Sequence, residues 1–119
     1  MSFFLENREL SKDIIVNRYD GLSEIELFDQ VSDLLIKQGY RKLGIGQEHV
    51  LFEKGNYTRR ILFGAFFKYY KMSVTTNTNE KGELLLIIKN AVSGITGGLI
   101  GIKQVEKEFV NISKLLQLV

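Results

Sequence analysis

The clearest alternation of apolar and polar positions along the chain is helical. After the Asp20-Gly21 turn, Ile25, Phe28, Val31, Leu34 and Leu35 recur at spacings of three and four, which predicts an amphipathic helix over 23–37. Its start is written in the residues: Ser23 is a good N-cap and Glu26 stands at N3, a reciprocal capping box, with Leu22 placed to staple onto Leu27. Its end is equally marked. Gly39 accepts the left-handed backbone of a C′ position, and Tyr40 follows where it can cover Leu35. Asp33 precedes Lys37 by four residues, the favourable order for an exposed helical pair.

A second helical period occupies the C-terminal stretch, where Ile102, Val105, Phe109, Ile112 and Leu116 share a face and Lys103, Lys107, Glu108, Asn111 and Lys114 surround it; a helix over 102–116 follows. Between the two helices the period falls to two. Residues 42–46 and 49–54 predict a hairpin, 59–67 and 69–78 two further strands, and 83–89 a last one after the Asn79–Gly82 turn. Gly64 marks a bend or bulge in the 59–67 strand. Residues 13–19, rich in β-branched side chains, predict a strand before the first helix, and residues 1–12 form a peripheral strand or a tail.

The run Leu84–Ile88 is apolar on both alternating faces, so its strand belongs at the centre of a sheet with both sides covered. Two helices cover one side. The other then needs the N-terminal aromatics, a loop or another subunit. The resulting expectation is a single α+β domain over 1–119: a two-layer sandwich whose predominantly antiparallel sheet has about five or six strands with two flanking helices, in the order β-α-β-β-β-β-β-α. A partial barrel is the architectural alternative.

Composition changes the picture in three places. At 119 residues and 45% hydrophobic content, the chain has material for one core of modest size, and for such a domain association is a natural source of further burial. It has no cysteine, so disulfides, thiolate metal sites and thiol catalysis are ruled out. The start of the sequence has no basic segment followed by a long apolar run, so a cytoplasmic location without a transmembrane segment is the expectation; the Asn56 and Asn111 glycosylation sequons are then chance matches.

Charge is the third. The net charge of +2 hides a division: residues 1–40 hold four basic and eight acidic side chains, residues 41–119 twelve and six. Lys54 to Asn79 contains no acid at all. Within it, YTRRILFGAFFKYYK interleaves cations with rings, a pattern suited to phosphate attraction and base stacking. Arg59, Arg60, Lys68 and Lys71, with Tyr57, Tyr69 and Tyr70, are therefore the candidate nucleic-acid-binding residues. The same surface is suited to attract the acidic N-terminal part of a neighbouring copy.

Other motifs carry less. Gly94, Gly97, Gly98 and Gly101 precede the last helix, with Ser93 and Thr96 nearby, but neither the GxxxxGK[ST] nor the GxGxxG order is present, so a tight connection is preferred to a phosphate cradle. The uncharged stretch 90–101 is too short to span a bilayer. His49 is the sole histidine, the acids Asp29 and Asp33 share a helix face, and Asp13 and Asp20 bracket a strand; none completes a catalytic arrangement. No catalytic residue, metal ligand or cofactor is nominated.

The leading functional expectation is a non-enzymatic interaction or assembly module acting as a homo-oligomer or on an unidentified protein through a sheet face or edge, with Phe63, Phe66, Phe67, Leu85 and Ile87 as the candidate surface. A nucleic-acid-binding module using 57–71 is the alternative. An apolar ligand held between helices and sheet is a third reading.

Overall fold

The computed structural model describes residues 3–45, 50–55, 68–91 and 98–119. Its elements are β1 (Phe4–Leu10), β2 (Ile14–Tyr19), α1 (Glu24–Lys37), β3 (Arg41–Ile45), β4 (Val50–Gly55), β5 (Tyr69–Thr78), β6 (Leu84–Asn90) and α2 (Gly98–Leu116). The strands form one six-stranded sheet in the order β1-β2-β6-β5-β4-β3 with every pairing antiparallel. The domain is α+β, as its periodicities require.

One difference of order stands out. A β1–β2 hairpin precedes α1, so the N-terminal residues are a true edge strand. The expected 59–67 strand, with Gly64, lies outside the described residues. Among the described strands, β1 and β3 lie at the edges of the sheet.

Helix α1 begins as its residues dictate. The Ser23 hydroxyl accepts from the Glu26 amide at 3.1 Å, and the Glu26 carboxylate accepts from the Ser23 amide at 3.0 Å. It ends on Gly39 at φ +96°, where the Gly39 amide donates to Ile36 and the Tyr40 amide to Leu35, each at 3.0 Å. These are the two bonds of a Schellman stop. Leu27, Val31 and Leu35 carry the buried stripe, flanked by the half-buried Phe28 and Leu34, whereas Ile25 is 74% exposed. Ile25 is thus a correction to the predicted face: it lies in the first turn, six residues before Val31 and so, at about 100° per residue, about 120° around the helix from the middle of the stripe. In α2 the large buried apolar side chains are Phe109, Ile112 and Leu116. That helix starts earlier than its apolar period suggests, taking Gly98 and Gly101 out of the predicted loop and into regular helix.

Both helices lie on one face of the sheet and share one core with Ile15 and Tyr19 of β2, Leu84, Leu86 and Ile88 of β6, Met72 and Val74 of β5, and Phe52 of β4. Burying each of these aliphatic side chains contributes about 1.5–3 kcal/mol. The chain from β2 to β3 crosses this face as α1, and α2 returns to the opposite edge, where the Val119 carbonyl accepts from the amides of Phe3 and Phe4 at 2.9 and 3.1 Å. Asn17 is the polar intruder among these inward positions, fully buried on β2. It is satisfied by a relay: Asn7 Nδ2 donates to Asn17 Oδ1 at 2.7 Å, Asn17 Nδ2 to Tyr19 Oη at 3.2 Å, and Tyr19 Oη to the Leu116 carbonyl at 2.7 Å. A buried polar group is tolerated on such terms, and here the relay also ties α2 to the first hairpin.

Candidate functional site

The outward positions of the sheet follow from its register. Val16 sits beside Ile87, Ile87 beside Thr75, Arg18 beside Leu85, and Ile14 beside Lys89, Ser73 and Leu51 in succession. Ile14, Val16, Leu85, Ile87 and Leu51 therefore share the face opposite the helices, and all are half-buried. Among the described residues, no helix packs on this face. Of the residues expected to make an interaction surface, Leu85 and Ile87 stand at its centre; Phe63, Phe66 and Phe67 lie outside the described residues. Ile14, Val16 and Leu51 were not anticipated as part of it, although the alternation of β2, with Ile15, Asn17 and Tyr19 inward, carries the signal for the first two.

The two ends of this face are polar and internally paired. At one end Arg18 Nη1 donates to Glu83 Oε2 at 2.6 Å and Nε to Glu6 Oε1 at 3.1 Å. Asn79 Nδ2 donates to the other Glu83 oxygen at 3.1 Å. That bond, with Arg18 beside it, holds the Glu83 carboxyl below the usual carboxylate range. These groups and Arg8, Glu80 and Lys81 line a shallow cleft with cations and anions interspersed. At the other end Tyr69 Oη donates to Glu53 Oε2 at 2.6 Å and Arg41 Nη2 to Glu53 Oε1 at 2.9 Å. The Tyr69 bond is the leading reason the Glu53 carboxyl titrates below its ordinary range.

Of the basic and aromatic set, Lys68 is exposed at the start of β5, and Lys71 lies on the outward face close enough to Glu53 to favour its ionised form. Tyr69 and Tyr70 are only 3% and 5% exposed. Tyr69 faces Glu53, whereas Tyr70 turns to the helix side, with the Lys54 ammonium 5.8 Å from its ring centre. The structure thus places the two tyrosine rings on opposite sides of the sheet and does not gather this set onto one surface. Tyr57, Arg59 and Arg60 lie outside the described residues.

On the helix side one further polar cluster joins three elements. Glu108 of α2 accepts from Tyr40 Oη at 2.6 Å and from Lys54 Nζ at 3.4 Å, and Lys54 also lies 5.5 Å from the Tyr40 ring centre. Burial, reinforced by this hydrogen bond, pushes the Tyr40 hydroxyl well above its ordinary range.

Asp29, Asp33 and Asp20 are exposed, and Asp13 is engaged by Lys12 at 2.9 Å. His49, Gly94 and Gly97 lie outside the described residues. Among the described residues no three His, Cys, Asp or Glu side chains converge as a metal site would require, and no helix is long and apolar enough to cross a membrane. A second surface groove runs between the helices near Leu34 and Leu115, with Leu118 at its rim 76% exposed. No family model, curated protein or solved structure matches the chain.

Proposed function

We propose that the chain is a non-enzymatic interaction or assembly module and that its contact surface is the outward face of the sheet. The observation that carries this reading is the layout of that face: aliphatic side chains at Ile14, Val16, Leu85, Ile87 and Leu51 in the centre, with the Arg18–Glu83 and Arg41–Glu53 pairs at the ends. An apolar centre with a polar, satisfied margin is the anatomy of protein contact surfaces. The central strand also places leucine or isoleucine outward, where a solvated antiparallel face would alternate to polar residues.

The face is favoured over the edges for a physical reason. An edge strand recruits another chain through a regular row of free amides and carbonyls. The β1 edge is interrupted by irregularities between Phe4 and Glu6 and between Asn7 and Glu9, and carries Glu6, Arg8 and Glu9. The β3 edge is only five residues long, irregular between Lys42 and Gly44, and begins with Arg41 and Lys42. Bulges and charges of this kind discourage strand addition.

Replacing Val16, Leu85 and Ile87 together with threonine tests the reading, because threonine keeps the strand preference and removes the apolar surface. The expected outcome is an unchanged circular dichroism spectrum, a melting temperature within a few degrees of the parent, and loss of association. A large drop in melting temperature would overturn it, since hydroxyls are that costly only at positions buried within the chain's own core.

A further inference from the structure

We draw no further inference here: the strongest candidate, the apolar outward face of the sheet around Val16, Leu85 and Ile87, belongs to the surface already described, and nothing in the structure shows what covers it.

Discussion

Tyr40 Oη and Glu108 Oε2 lie 2.6 Å apart, joining the end of the α1 stop to the middle of α2 across the sheet end where Lys54 also reaches the same oxygen at 3.4 Å. Both Tyr40 and the Glu108 side chain are largely withdrawn from water. A charge-assisted bond in that setting costs more to break than it contributes when intact, because removal of one partner leaves the other desolvated. Tyr40→Phe is expected to destabilise the fold by about 1–3 kcal/mol, and Glu108→Ala by more, since it strands both the phenol and the ammonium. A denaturant series measures this, and a Tyr40→Phe/Glu108→Gln cycle with no coupling would remove the pair from the list of stabilising contacts.

Gly55 makes a different prediction. It closes β4 at φ +95°, and a Cβ there would collide with the Lys68 carbonyl oxygen. The obstacle is backbone, which has no side-chain rotamer to yield. Gly55→Ala therefore combines a disfavoured φ with a collision and should cost several kcal/mol, well above the usual cost of about 1 kcal/mol for a strained left-handed residue. Gly82, at φ +79° with nothing near its Cβ position, is the control: Gly82→Ala should show the torsional cost alone. Equal melting temperatures for the two variants would contradict the close approach at Gly55.

Local chemistry made the helices legible. Ser23, Glu26 and Gly39 act within a few residues of themselves, so the capping box and the stop can be read without knowing the sheet. The central place of Leu84–Ile88 was legible for the same reason, since a strand apolar on both sides has few other places to go. What was hidden depends on contacts far apart in the chain. Nothing local to Asn17 announces that it will be buried and satisfied by Asn7 and Tyr19, and nothing local to Phe4–Leu10 distinguishes an edge strand from a tail. The outward face was half legible: Leu85 and Ile87 come from one strand's pattern, but their union with Ile14, Val16 and Leu51 needs the register of four strands. Tyr69 and Tyr70 show the converse error of reading proximity in sequence as a shared surface, because adjacent strand residues point to opposite faces.

Ser113 is 1% exposed, and its hydroxyl makes no hydrogen bond in the structure. Its neighbours in the α2 stripe, Phe109, Ile112 and Leu116, belong to the apolar core. A hydroxyl withdrawn from water without a partner is a net cost, and alanine has the higher helix propensity. Ser113→Ala is therefore expected to stabilise the protein, by about 1 kcal/mol. A decrease in stability of that size, read from urea midpoints at unchanged slope, would show that the hydroxyl has a partner after all.

Stability should fall at both extremes of pH, for opposite reasons. The Glu53 carboxyl is held below its ordinary value of 4.5 by the Tyr69 hydroxyl and then by Arg41. A carboxyl depressed on folding contributes stability that is present above the unfolded value and disappears as pH falls through the folded one, so the acid limb begins just under 4.5. Tyr69→Phe should flatten that limb. At the other extreme, burial pushes the Tyr19 hydroxyl from 10.0 up to about 12, although its bond from Asn17 works the other way. A group whose folded value is raised contributes stability that is intact below the unfolded value and is lost as pH rises through the folded one, which places the alkaline limb between 10.0 and about 12. Tyr40, raised by burial and Glu108, adds to the same side. Tyr19→Phe lowers stability at neutral pH by breaking the relay to Leu116, yet it should lose less on further alkalinisation than the parent. Melting curves taken from neutral to strongly alkaline solution separate the two effects, and parallel curves for parent and variant would show that the Tyr19 proton is not linked to folding.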